Sequence, residues 1–311
     1  VAGGVLIDFR DMNQATYDAQ KDSITLQPGI HWAKAVTALA PQGVAPVGGR
    51  AAHVGSGFLL GGGISFLSPS RGWGADNYRE LDVVLVNGTV VTANANNEHK
   101  DLFKALKGGG NRFGIVTRAQ SSPNPYSASC SPSRTPTKSI NRMSYADIVA
   151  NTFPTQDEHG STYIYGSSAL SGQDEEAFLN VYNTNLEFTK ENLDLLNNTS
   201  ITLTPIPDSQ IQFGRERGGN AIDAPLTGGY AVVQMAQTLR PGQVEVPQSI
   251  LDAKKNLLDH PPQAFLYSSM SVMRTKTSLL RTVSYDFLKE TYKKYDPEGF
   301  HVRFTDGPEG L

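Results

Sequence analysis

Short stretches of alternating apolar and polar residues open the chain, give way to a helical spacing, and return in its second half. Val5-Leu6-Ile7-Asp8-Phe9 is apolar enough to predict a buried strand. Ser23-Ile24-Thr25-Leu26-Gln27-Pro28-Gly29 alternates and then meets Pro-Gly, which ends a strand in a turn. From His31 to Leu39 the spacing changes, and Trp32, Val36 and Leu39 fall on one helix face. Leu81–Val86 and Thr89–Thr92 flank Asn87-Gly88, the pair a two-residue type I′ turn prefers, so a β-hairpin is predicted. Lys100–Lys107 predicts a short helix running into Gly108-Gly109-Gly110.

Residues 119–142 differ in kind: they are rich in Ser, Pro and Thr, carry almost no apolar residues, and read as a linker. Beyond them, helices are expected over 145–151, 174–187, 247–258 and 285–295, the last stopped by Pro297 and Gly299. Strands are expected over 161–169, 201–204, 229–239 and 264–273. This mixture predicts an α+β protein whose second part is an antiparallel sheet covered by helices. The expected division is 1–118, a linker 119–142, a second domain 143–283, and a C-terminal segment 284–311 returning to the first domain.

Composition narrows the classes. With 311 residues, no structural staple is needed, and a single cysteine makes no internal disulfide. A net charge of −3 gives no electrostatic footprint for nucleic acid or anionic membrane. The mean hydropathy is −0.32 and no apolar run approaches a membrane span. The expected partner is a small-molecule substrate, and no metal is expected because no Cys/His group has zinc spacing. Compartment and oligomeric state are left open.

Half of the 30 glycines fall between Gly43 and Gly114. They form two loops, Gly43-Val44-Ala45-Pro46-Val47-Gly48-Gly49-Arg50 through Gly61-Gly62-Gly63, and Gly108-Gly109-Gly110-Asn111-Arg112-Phe113-Gly114-Ile115-Val116-Thr117, separated by the hairpin and a helix. Exposed backbone N–H groups bind pyrophosphate oxygens, and a backbone without Cβ atoms lets a flat ring lie close. A turn-rich β region is the competing explanation. There is no P-loop and no Rossmann fingerprint, and Gly55-Ser56-Gly57 lacks the hydrolase elbow pattern.

In order and spacing these pieces, about Gly4 to Thr117, resemble the FAD-binding domain of the vanillyl-alcohol-oxidase (PCMH-type) flavoproteins, closest to the berberine-bridge-enzyme-like branch of fungal secondary metabolism. The stretch 284–300 resembles that family's closing segment. The resemblance implies an FAD-linked oxidoreductase, an oxidase with O₂ as acceptor, acting on a small metabolite. It implies that Gly48, Gly49, Arg50, Ala51, His53, Val54, Gly55, Ser56 and Gly57 wrap the cofactor, and that Gly114, Ile115 and Val116 touch it further along. Ala51 stands where this branch often has a flavin-linking cysteine, which implies non-covalent FAD. The family's first FAD lobe, with the loop that carries a histidyl link, is expected ahead of Val1. A non-redox cyclase on the same fold and a degenerate chain without FAD are the alternatives.

Oxidation of a hydroxyl or amine also needs a proton acceptor. Tyr163, Tyr165, Tyr230 and Tyr267 lie on expected strands and are the candidates, with Tyr163 and Tyr165 on one face. His31, His99, His159, His260 and His301 read as surface or helix-edge residues, and Cys130 as an exposed thiol in the linker. Asp76 and Asn77 read as turn-fixing side chains.

Overall fold

The computed structural model describes residues 4–125, 144–151, 162–172, 174–224, 226, 228–243, 245–252 and 284–305. The chain divides into two compact units. One comprises Val1–Asp157, Phe213–Ala221 and Phe287–Gly307; the other comprises Glu158–Gln212, Ile222–Asp286 and Pro308–Leu311.

The first unit is built on a five-stranded antiparallel sheet in the order β1-β2-β6-β4-β5. Its strands are β1 (Ala15–Asp18), β2 (Ser23–Leu26), β4 (Tyr78–Val84), β5 (Val90–Asn94) and β6 (Ile115–Ser121). Between β2 and β4 come helix α1 (Trp32–Leu39), the short strand β3 (Val44–Ala45) and the one-turn helix α2 (Ser68–Arg71). Strand β3 pairs with β7 (Asn124–Pro125). Helix α3 (Lys100–Leu106) precedes β6, and α4 (Tyr145–Asn151) follows β7. The spacing of Trp32, Val36 and Leu39 does what it predicts: with Ala35 they form the buried face of α1. Ile24, Leu26, Leu81, Val83, Leu102, Leu106 and Phe113 complete this core.

Three expectations change here. Val5–Phe9 forms no strand, and Val5, Leu6 and Ile7 are 88%, 73% and 51% exposed. An apolar run shows a capacity for burial, but a strand also needs a pairing neighbour, and none of the described strands lies along it. The extended run ends in a turn, where Phe9 O accepts the Met12 amide at 2.8 Å. The hairpin forms, but not with a two-residue turn. Leu85 N donates to Thr89 O, Gly88 N donates to Leu85 O, and only Gly88 has positive φ (+82°) there. Type I′ needs positive φ at both central residues, so this is the three-residue loop with glycine at the left-handed position. Finally, β6 runs through Ser121, past the expected linker start at 119, because Ala119, Gln120 and Ser121 pair with β2 on one side and β4 on the other. Central pairing holds a strand that composition alone reads as loop.

The second unit carries a three-stranded antiparallel sheet, β8-β10-β9, made of β8 (Tyr163–Ser171), β9 (Leu196–Ile206) and β10 (Tyr230–Leu239). Helix α5 (Glu175–Glu191) begins where the Asp174 carboxylate accepts the Ala177 amide at 2.9 Å. It buries Ala177, Val181 and Phe188 against Ile164, Leu170, Val233, Met235 and Leu239. Helix α6 (Asp208–Glu216), which the sequence did not announce, starts in this unit and ends in the first. The chain closes with α7 (Tyr285–Tyr295) and α8 (Phe300–Phe304). The strand expected over 264–273 lies outside the described residues.

Candidate functional site

The first glycine arm is anchored by α1. The amides of Trp32 and Ala33, orphans of the first helical turn, donate to Val54 O and Ala52 O, both at 3.1 Å. These two carbonyls therefore point at α1. Every described peptide is trans, so the following N–H groups, of His53 and Gly55, point the other way. Outward amides of this kind suit an anion.

The glycines of this arm divide into two kinds. A Cβ at Gly48 would stand 2.2 Å from the Trp32 ring, and one at Gly49 would stand 2.6 Å from it. These two are required by packing. Gly57 is different: it is exposed, and a Cβ there would meet nothing within 4 Å. It is the second residue of a 3-10 turn, Ser56–Gly61, where the Ser56 hydroxyl donates to Pro28 O at 3.1 Å. Ala51, His53 and Val54 are half-buried. Arg50 is half-buried too, and burial pushes its guanidinium below its ordinary pKa. The fully buried Trp32 Nε1 has no hydrogen-bond partner among the described residues, although it lies directly under Gly49.

The second arm meets the first. Gly110 N donates to Leu60 O at 2.9 Å, and Gly110 has φ +92°. Gly114, at φ +142°, lies against Val83 and the Val84 carbonyl, where a Cβ would stand 2.6 Å from Val83 Cγ1. Ile115 and Val116 pair with Val84 and Val83 in the sheet. The fold thus gathers the two sequence-predicted loops at one place, and it gives Gly114 a packing reason of its own.

The tyrosines separate. Tyr163 pairs with Thr238 and Tyr230 with Ser171, and even-numbered β10 positions share a face. Tyr163 and Tyr230 therefore face the same side of the sheet, away from α5. They lie at opposite ends of it, however, about 27 Å apart along the strand. Tyr230 is buried and Tyr163 half-buried. Tyr165 pairs with Ala236, and Tyr267 lies outside the described residues. Thr202 and Thr204 of β9 and Gln234 of β10 share the Tyr163 face, by register.

Asp76 and Asn77 fix a turn. Asp76 Oδ2 accepts the Trp73 amide at 2.8 Å, and Asn77 Nδ2 donates to the carbonyls of Arg71 and Trp73. His31 is exposed, as expected of a surface position, while His301 is buried in the first turn of α8, at a helix edge rather than on the surface. Its amide donates to Asp296 Oδ2 at 2.7 Å at the start of α8. His99 is half-buried, its Nδ1 3.1 Å from the Tyr295 hydroxyl. His159, His260 and Cys130 lie outside the described residues. A surface cavity of about 710 Å³ is lined by Val86, His99, Tyr295, Phe300 and Arg303 among others, and shares no lining residue with the glycine arms. Among the described residues no group of three or more His, Cys, Asp or Glu side chains could hold a metal, and no helix is long and apolar enough to cross a membrane.

Comparison with known proteins fits this arrangement. Residues 1–94 match the FAD binding domain family. An uncharacterized FAD-linked oxidoreductase of Arthroderma benhamiae is 46% identical over 115 residues, 37% of this chain and 23% of that protein. The FAD-dependent monooxygenase prx3 of Penicillium roqueforti is 45% identical over 120 residues, 38% of this chain and 23% of that protein. The matched segment thus spans less than a quarter of these relatives. The fold extends much further. 6-Hydroxy-D-nicotine oxidase of Arthrobacter nicotinovorans superposes with a TM-score of 0.74 at 19% identity, over 97% of this chain and 81% of that one. A berberine bridge enzyme variant gives 0.75 at 12% identity, over 98% and 81%. The chain has the α+β fold of the PCMH-type FAD-binding oxidases, and its residues 1–94 are similar to an FAD binding domain.

Proposed function

We propose that this chain is an FAD-linked oxidoreductase of the berberine-bridge-enzyme-like kind, oxidising a small metabolite with O₂ as acceptor. One observation carries the reading: two glycine arms meet at the Gly110–Leu60 hydrogen bond beside Gly57, whose missing side chain leaves open space. The residues suit FAD, for the cradle offers outward amides for a pyrophosphate, a bare backbone for a flat ring, and the unpartnered Trp32 indole N–H beneath. When bound, FAD supplies hydride acceptance from a substrate carbon.

The chain's own residues bind and orient. His53 and Gly55 N–H groups receive phosphate oxygens, Arg50 adds positive charge, and Gly57 admits the ring. Gly48, Gly49 and Ser56 hold that backbone in shape, as Gly114, Ile115 and Val116 do for the second arm. Ala51 offers no sulfur for a covalent link, so FAD is held non-covalently in this reading. The substrate's proton goes to a hydroxyl-bearing side chain, with Tyr163, Tyr165, Tyr230 and Tyr267 as candidates. Residues 1–118 hold the cofactor and 143–283 the substrate, while 284–311 return to the first part.

The test is a titration of purified chain with FAD, followed by visible absorbance and flavin-fluorescence quenching. Saturable uptake supports the reading. A colourless chain that takes up none identifies a degenerate one. A flavin that no turned-over substrate reduces identifies a cyclase. The name of the Penicillium relative favours one second reading, oxygen insertion. Stoichiometric peroxide separates the oxidase from the monooxygenase.

A further inference from the structure

We propose that Asn220 is a positioning residue for the cofactor cradle, locking both glycine arms in place from a sequence-distant segment. The inference rests on the FAD reading above for its purpose, and on hydrogen bonds alone for its geometry.

The first arm ends at Gly62 and Gly63, whose carbonyls accept the amides of Ala75 (2.9 Å) and Gly74 (2.8 Å). The shape of that 73–76 turn depends on Asp76, whose Oδ2 holds the Trp73 amide. Asp76 is only 2% exposed, and a buried carboxylate is costly unless donors meet its oxygens. Asn220 Nδ2 meets the other oxygen, Oδ1, at 2.7 Å. The second arm starts at Lys107. Its Nζ donates to Gly219 O at 2.8 Å, and its carbonyl accepts the Ala221 amide at 2.9 Å. Three consecutive residues, 219–221, thus bind the root of one arm and the root of the other.

The close approach is built in on two sides. A Cβ at Gly214 would stand 2.5 Å from Asp76 Oδ2, and one at Gly72 would stand 2.7 Å from it. Among the described residues, two charged side chains act on Asp76: Lys107, from the end of α3, and Arg217, from the turn after α6. Burial pushes the Asp76 carboxyl above the usual aspartate range, while the Asn220 amide, Lys107, the Trp73 amide and Arg217 pull it back. Burial likewise lowers the Lys107 ammonium. Without Asn220 the carboxyl rises further. It then takes up a proton as pH falls, and weakens as the acceptor that shapes the turn.

The experiment uses the full chain with Asn220→Ala and Asn220→Asp, read two ways. The first is FAD affinity by fluorescence quenching over a pH series from about pH 8 down toward the ordinary aspartate range. The second is hydrogen exchange of the Gly74, Ala75 and Gly110 amides without FAD. We expect Asn220→Ala to weaken FAD roughly tenfold at the higher pH and more at the lower, its extra loss setting in at higher pH than any loss in the wild type. Exchange at the three amides should rise roughly tenfold, with the β8–β10 ladder unchanged. Asn220→Asp, which sets a carboxylate against Asp76, should be no better. Wild-type exchange at these amides, or unchanged affinity with no pH dependence, overturns the proposal. If the wild type takes up no FAD, the FAD reading fails and exchange alone decides the clamp. Should Asn220→Ala not fold, Lys107→Met removes the Gly219 bond while keeping side-chain length. Faster exchange at Gly110 then supports the clamp, and an unchanged rate overturns it.

Discussion

The glycine arms and the three-stranded sheet hold their shapes by opposite means. In the arms the backbone itself is packed: Gly48 and Gly49 lie on Trp32, Gly74 on Leu59 and the Val47 carbonyl, and Gly109 on Ala105 O and Leu288. At these positions no other residue fits, so the letter in the sequence is forced. In the sheet, side chains pack and the backbone only spaces them. Ile164, Val233 and Met235 meet α5 on one face, while Tyr163, Gln234 and Thr202 line the other. There the pattern is forced and the letters are free. Fold and proposed function therefore share atoms in the arms and separate onto two faces in the sheet.

The largest effect should come from Gly48→Ala. Its new methyl collides with a fully buried indole, and the urea midpoint should show a loss of about 3 kcal/mol. Wild-type stability there would remove the claim that the arm is forced. Next, Gly57→Ala should leave stability within about 0.5 kcal/mol, yet weaken FAD roughly tenfold by titration. Undiminished affinity would mean that the open backbone is not where the flat ring lies.

A control away from both regions comes third. Arg118 donates to Asp82 and Glu80 from the middle of β6, and its hydrogen bonds to Asp82 hold that carboxyl below the usual aspartate range. A depressed folded-state value contributes stability above pH about 4, lost as pH falls through that lower value. Arg118→Met should cost about 1.5 kcal/mol near neutrality, and the difference should close in acid. A cost that persists below pH about 2 would assign it to packing instead. Last come Tyr163→Phe and Tyr230→Phe, each expected within about 1 kcal/mol by thermal melt and with FAD affinity unchanged. Because their strand positions lie about 27 Å apart, at most one should slow turnover of an oxidised substrate. Equal losses in both would break the view that this face presents a single proton acceptor.

Much of the molecule was legible along the chain, for reasons that differ by region. Helix α1 follows from its apolar spacing, α4 and α7 form where helices are expected, and the turn function of Asp76 and Asn77 follows from short polar side chains beside glycine. The two glycine loops were visible because forced letters leave a compositional mark. Harder to see was anything set by a distant partner. Val5–Phe9 has the composition of a strand without a neighbour to pair with among the described residues, while Ala119–Ser121 has the composition of a loop and two neighbours. His301 is buried in a short helix whose first amides are held by Asp296, five residues upstream. Asn220, 144 residues from Asp76, offered no signal at all: one asparagine after two glycines looks like any turn.

The order in which the first unit is completed has a consequence for synthesis. Gly109 is covered by Leu288, and Asp101 accepts from Lys294 and Tyr295 some 190 residues downstream. At ribosomal rates of about 5–20 residues per second, the second arm emerges roughly 10–40 s before the helix that covers it. The second arm of the nascent chain thus stays without its Leu288 cover until the helix over 285–295 has been made.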